Sequence, residues 1–249
     1  MEKYLFDKPL QEALIIKRNS QFTMDILING QIEKAHCPTT NRIGDIETKN
    51  IACLISHSAN TSRKLKYTVE AISCDDIDAH NKNWIGINQI LSNKLVEFFL
   101  KNNALENMIG SYTNMQREVY LGNAKLDFLV DNTYIEVKTP LTTLHVNYGK
   151  NIQTKPITPF SSTDRFVKHI TELTNALDIQ KRAILLTVHQ YMITNRKEHL
   201  KSTKYALVKE TMEKAIKKGV ETWCLDMKFE PDGVSLISCI NTTYDSIKD

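Results

Sequence analysis

Three residues carry the clearest chemistry in this sequence: Asp127, Glu136 and Lys138, spaced as Asp-x8-Glu-x-Lys. In the apolar run Thr133-Tyr134-Ile135-Glu136-Val137-Lys138 the side chains of an extended strand alternate. Ile135 and Val137 then face one way, and Glu136 and Lys138 share the other face. Asp127 stands between Leu126 and Phe128 in the preceding run, and Asp131-Asn132 between the runs reads as a hairpin turn. With that turn, residues whose numbers sum to about 263 face each other, which sets Asp127 directly opposite Glu136. Two carboxylates so close repel one another unless a cation lies between them. Oxygen ligands suit hard divalent ions, so Mg2+ or Mn2+ is expected on Asp127 and Glu136. Such an ion lowers the pKa of a bound water and neutralises a scissile phosphate. Lys138 beside it would orient that water and stabilise the negative charge that develops. These are the parts of phosphodiester hydrolysis. The same residues also fit a solvated strand face whose cross-strand ion pair is worth under about 1 kcal/mol.

The elements that must position these residues can be traced by periodicity. Asn88 to Lys101 carries Leu91, Leu95, Phe98 and Phe99 at helical spacing. Arg117–Leu121, Ala124–Val130 and Thr133–Lys138 form three strands, with Gly122-Asn123 and Asp131-Asn132 as the turns of a meander. A helix starts near Ser162 or Thr163, residue types that cap N-termini, and carries the stripe Phe166, Ile170, Leu173, Leu177. Ala183–Val188 is a continuous apolar run of the kind buried on both faces. A further helix spans roughly Thr203 to Lys218, with Gly219 at its C-cap. Val220–Leu225 and Val234–Cys239 close the sequence as strands. Upstream, Leu14–Arg18, Phe22–Ile28, Ile51–Ser56 and Lys66–Ile72 are short strands with an Asn29-Gly30 hairpin signal, suiting a five-stranded barrel. The polar stretch from Asp75 to Lys82 is a linker. The expected fold is a small barrel or sandwich upstream of this linker, then an α/β sandwich on a mixed sheet.

Composition bounds the class. Net charge is +3, from 32 Lys+Arg against 29 Asp+Glu, which permits a nucleic-acid partner without requiring one. The five cysteines are odd in number, widely spaced and without a Cys-x-x-Cys pair, so neither a disulfide framework nor a structural zinc site is expected. The seven histidines show no metal-ligand spacing. With no signal-peptide pattern and no apolar run of membrane-spanning length, a cytoplasmic protein without membrane contact is expected. The oligomeric state is open, a homodimer included. For DNA or RNA, the basic residues Arg63, Lys64 and Lys66 beside Tyr67 suit a barrel groove that tracks a strand, extended by Lys17, Arg18 and Phe22. Arg165 and Lys168 suit phosphate contacts nearer the carboxylates, although Lys168 also stands four residues before Glu172, where an ordinary ion pair competes.

Taken together, several short segments resemble the sugar fermentation stimulation protein A family. They include Ala35-His36-Cys37-Pro38, Tyr67-Thr68-Val69-Glu70, Trp84-Ile85-Gly86-Ile87-Asn88 and Asn93-Lys94-Leu95-Val96-Glu97. Leu126-Asp127-Phe128, Ile135-Glu136-Val137-Lys138, Lys168-His169 and Gly219-Val220-Glu221 follow in order. The resemblance implies an OB-like five-stranded β-barrel over 1–82, followed over 83–249 by an α/β restriction-endonuclease-like domain with a central mixed sheet, of the PD-(D/E)XK nuclease-like kind. It implies that Asp127 and Glu136 are metal-binding acids, Lys138 the lysine of the signature and Glu97 an acidic position that completes such sites. The chain departs from the family pattern at Thr39-Thr40-Asn41, where the family has Asn-Thr-Gly, and at Phe160-Ser161-Ser162, where an acid is missing. Two functions remain open at this level: a Mg2+- or Mn2+-dependent nuclease, or a sequence-nonspecific DNA-binding regulatory protein whose nuclease fold is a scaffold.

Overall fold

The computed structural model describes residues 2–39, 42–60, 62–159, 163–179, 181–198 and 200–244. Five strands build the barrel: β2 (Gln11–Arg18), β3 (Thr23–Ile28), β4 (Gln31–His36), β5 (Ile51–His57) and β6 (Tyr67–Ser73), after a short β1 (Lys3–Leu5). They run in the order β4-β3-β2-β5-β6, and β6 returns to pair with β4 in parallel through Ala35↔Tyr67, which closes the barrel. Asn29 and Gly30 both hold positive φ (50° and 76°) in the β3–β4 turn, the backbone a tight hairpin needs. Inward positions such as Ile15, Met24, Ile26, Ile55, Val69 and Ile72 fill the interior.

β7 (Trp84–Gly86) pairs with β6 on one side and touches β12 (Glu221–Glu230) on the other, so the sheet runs from the barrel into the second half of the molecule. There β8 (Met115–Leu121), β9 (Ala124–Val130) and β10 (Thr133–Lys138) form the antiparallel meander. β10, β11 (Arg182–His189) and β12 lie parallel, and β13 (Gly233–Asn241) returns antiparallel along β12. The sheet is therefore mixed, as expected.

Helices cover both faces. On one, α1 (Gln89–Lys101) buries Leu95, Val96 and Phe99 against Ile135, Val137, Ile184, Leu186 and Leu225. On the other, α3 (Asp164–Asn175) and α4 (Tyr205–Lys218) bury Ile170, Leu173 and Ala215 against Tyr134 and Leu185. Alternation along β10 thus sends Ile135 and Val137 to α1, and Tyr134 and Glu136 to α3. Gly219 ends α4 at φ 118°, in the region open to glycine. No helix among the described residues is long and apolar enough to cross a membrane.

The structure departs from the sequence expectations at several points. β1, a strand not expected from the sequence, pairs with β13 and not with the barrel. β4 carries only Ile32 and Ala35 as apolar residues, too few to signal a strand, yet it closes the barrel. A one-turn helix, α2 (Glu106–Ile109), intervenes before β8. Thr163 precedes α3 without a side-chain capping bond, and the other expected cap, Ser162, lies outside the described residues, with the rest of Phe160-Ser161-Ser162. So do Thr40 and Asn41 of the departing loop; Thr39 is buried.

Candidate active site

β10 places Glu136 in the sheet interior, 2% exposed, and Lys138 two residues on at its more open end. Glu136 Oε1 accepts from Lys138 Nζ and pairs with Nδ1 of His169, which α3 lowers onto the same face. Nε2 of that ring accepts from Arg165 one turn earlier, 3.5 Å, so Nδ1 carries the proton and donates to Glu136. Glu136 Oε2 is also buried, and no donor reaches it among the described residues.

Asp127 enters from β9. The β9–β10 ladder follows the expected register through Ile135↔Phe128 and ends there. One step on, Asp127 does not pair through its backbone; its Oδ2 accepts the Val137 N–H at 2.8 Å, and Asn93 of α1 donates to Oδ1 at 2.7 Å. The side chain thus closes the gap where the strands diverge. Burial pushes the Asp127 carboxyl above its ordinary range, and the neighbouring charge of Glu136 pushes it further. The two hydrogen bonds and Lys138 oppose that rise.

Glu97 is not brought to this cluster. It lies one turn beyond Asn93 on α1 and pairs with Lys101 and with Arg117 of β8, both at 2.7 Å. Burial opposes the fall in its carboxyl pKa, which the hydrogen bond from Lys101 leads. Asn93, with the same periodicity, occupies the position toward Asp127. His169 also escapes a reading by ligand spacing. Its signal is that it falls within the apolar stripe of α3, three residues after Phe166 and four before Leu173, where a polar residue needs a buried partner.

Of the basic residues, Arg63, Lys64 and Lys66 are exposed on the segment between β5 and β6, with no carboxylate partner among the described residues. Tyr67 follows them and packs edge-on against His57, 5.4 Å between ring centres. Both rings line a groove of about 610 Å3 between the barrel and α1, to which α1 contributes Lys94. Arg18 is placed differently: its guanidinium is bound to the backbone carbonyls of Ser20, Gln21 and Thr39. Lys168 is exposed on α3, and Glu172 is engaged by Asn123 and Asn175 instead of by it.

Comparison with known proteins agrees with this architecture. Residues 16–87 match the model of the SfsA N-terminal OB domain, and residues 90–233 match that of the sugar fermentation stimulation protein RE domain. A sugar fermentation stimulation protein homolog of Pseudoalteromonas atlantica is 31% identical over 242 residues, 93% of this chain and 96% of that one. A homolog of Synechococcus sp. strain JA-2-3B'a(2-13) is 32% identical over 188 residues, 74% and 72% of the two chains. Among solved structures, Pyrococcus furiosus SfsA in complex with Ca2+ superposes with a TM-score of 0.73 at 19% identity, covering 96% of this chain and 98% of that one. An OB barrel continued by a nuclease-like sheet, matched along most of its length, makes this chain a member of the sugar fermentation stimulation protein family.

Proposed function

We propose that this protein is a divalent-metal-dependent nuclease that hydrolyses phosphodiester bonds in DNA, with RNA the other substrate that an OB barrel admits. One observation carries the reading: Glu136 is buried, its Oε1 is committed to Lys138 and His169, and its Oε2 has no donor among the described residues. A buried acceptor left unpaired costs about 1–3 kcal/mol, which a bound cation would offset. The donor set fits a hard ion, because Asp127 and Glu136 offer only carboxylate oxygens. A family relative described in complex with Ca2+ supports the same class of ion. Asp127 and Glu136 would hold Mg2+ or Mn2+. When bound, such an ion supplies a water of lowered pKa and neutralises charge on the scissile phosphate.

The chain's own residues do the rest. Asn93 and the Val137 N–H fix the Asp127 carboxylate, and His169 fixes Glu136. Lys138 is the part-exposed cation of the cluster and stabilises the charge that builds on the phosphate oxygens as water adds and the leaving P–O bond breaks. Arg165 and Lys168 on α3 contact flanking phosphates, and the exposed lysines and arginine of the barrel hold the strand farther away. The direct test incubates purified protein with plasmid and single-stranded DNA in Mg2+ or Mn2+, then in EDTA. Cleavage is expected with either ion, none in EDTA, and at least about a 100-fold loss in Glu136→Gln and Lys138→Ala. Undiminished cleavage in both variants would overturn the assignment.

A second reading, a regulatory DNA-binding protein, is favoured by Arg63, Lys64 and Lys66. They are exposed and have no carboxylate partner among the described residues, whatever the state of the Asp127–Glu136 pair. This reading expects DNA binding without metal, unchanged in Glu136→Gln and weakened in an Arg63→Ala, Lys64→Ala double variant. That result, with no cleavage of any substrate in Mn2+, would replace the nuclease reading.

A further inference from the structure

A second cluster lies two strands away from the carboxylates and differs from them in chemistry. The parallel register of β11 and β12 sets His189 beside Asp226, and Cys224 lies two residues before Asp226 on the same face. His189 Nδ1 is 3.0 Å from Asp226 Oδ1, Cys224 Sγ is 3.4 Å from the same Nδ1, and Cys224 Sγ is 3.5 Å from the same Oδ1. Three atoms thus form a closed triangle. A neutral imidazole and a thiol bring at most two usable protons to its three edges, so hydrogen bonding alone leaves one edge without its own proton.

A tetrahedral zinc ion has bonds of about 2.3 Å to sulfur and about 2.0–2.2 Å to nitrogen and oxygen. The edges between its ligands then come to about 3.5 Å for S···N, about 3.3 Å for N···O and about 3.5 Å for S···O. The triangle is within about 0.3 Å of all three. The set is also held in place. The His189 ring packs edge-on against His145 and Tyr191, at 5.5 Å and 5.4 Å between ring centres. Ser238 of β13 donates to the other oxygen of Asp226 at 3.1 Å. We propose that His189, Cys224 and Asp226 form a transition-metal site of zinc type, separate from the Asp127–Glu136 pair.

A mixed sulfur, nitrogen and oxygen set selects zinc over Mg2+ or Ca2+, whereas the carboxylate pair selects the reverse. Zinc bound there would displace the Cys224 thiol proton to solvent and hold the thiolate. Lys138, Thr187 and Cys224 lie side by side across β10, β11 and β12, so the two sites share one sheet face about 10 Å apart, two strand spacings. Gln190, next to His189, donates to Asn88 and Ser92 at the start of α1. A metal on His189 would therefore steady the helix that carries Asn93. The spacing of the sequence hides the set, because His189 and Cys224 are 35 residues apart and meet only through strand pairing.

The test uses the full chain stripped with chelator and titrated with Co2+, which reports thiolate ligation by an ultraviolet charge-transfer band and tetrahedral geometry by visible bands. The expected result is one strong Co2+ per chain, displaced by Zn2+, with the band lost in Cys224→Ser and retained in Glu136→Gln. Asp226→Asn should bind Co2+ at least about tenfold more weakly. No band in the wild type, or a band that persists in folded Cys224→Ser, overturns the proposal. Should Cys224→Ser fail to fold, Cys239→Ala decides the source of the thiolate. A retained band supports Cys224, and a lost band overturns it.

Discussion

At the residue scale the site turns on Asp127, whose carboxyl protonation the fold shifts. Burial and the Glu136 charge raise its pKa above that of an ordinary aspartate, about 3.9. A raised carboxyl binds a proton more tightly when folded, so this group favours the fold below its native pKa and costs stability as pH rises through it. Under the proposed function, a cation bound there would displace the same proton. Mn2+ affinity is therefore expected to weaken as pH falls into the raised Asp127 range, by up to about tenfold per pH unit. Asp127→Asn should flatten that dependence; isothermal titration at several pH values measures both. The positions of Asp127, Glu136 and Lys138 were legible in the sequence, because strand alternation and a two-residue turn set them with few alternatives. Glu97 was not. A charge on a helix is recognisable, but which neighbour it meets depends on how the helix is rotated, and here Asn93 takes the inward position. For the same reason, under the proposed nuclease function, Asn93→Ala should lower cleavage at least about tenfold through loss of the bond to Asp127. Glu97→Ala, which removes only partly exposed ion pairs, should leave it at the wild-type level.

At the element scale the meander and its flanking helices followed from periodicity, whereas β1, β4 and α2 did not. A three-residue strand has no period to detect, and β4 buries only Ala35; both exist because a partner strand supplies the hydrogen bonds. β7 belongs to the same class. It is short, yet it joins barrel to mixed sheet, and Gly86 at its end shows how tightly. A Cβ there would meet the Gln190 side chain at 2.6 Å and Phe229 at 2.9 Å. The Gly86 N–H donates to the Gln190 carbonyl at 2.9 Å, and the Gln190 side chain in turn holds the start of α1. Gly86→Ala is thus expected to destabilise the protein by about 1–3 kcal/mol through overpacking. Urea denaturation would detect it as a lower midpoint with an unchanged slope; an unchanged midpoint would mean that the strand junction yields freely.

At the scale of the whole molecule, a net charge of only +3 gives no general attraction to nucleic acid, so any binding must come from where the charges lie. The barrel offers Arg63, Lys64 and Lys66, with no carboxylate partner among the described residues, followed by the groove that Tyr67 and His57 share with Lys94 of α1. α3 offers Arg165 and Lys168 beside the carboxylate cluster. α1 and α3 cover opposite faces of the mixed sheet, so the groove beside α1 and the α3 patch are two separate surfaces. Neutralising a side chain that pairs with one phosphate lowers the salt slope of binding, by about 0.9 in double-stranded and about 0.7 in single-stranded DNA. Arg63→Ala with Lys64→Ala should therefore lower the slope of log K against log salt by about 1.8 on duplex or about 1.4 on single strands. Arg18→Ala should leave the slope unchanged, because that guanidinium holds backbone carbonyls. Fluorescence anisotropy across a salt series separates these outcomes, and the substrate on which the double variant loses more affinity identifies the form of nucleic acid that lies along the barrel.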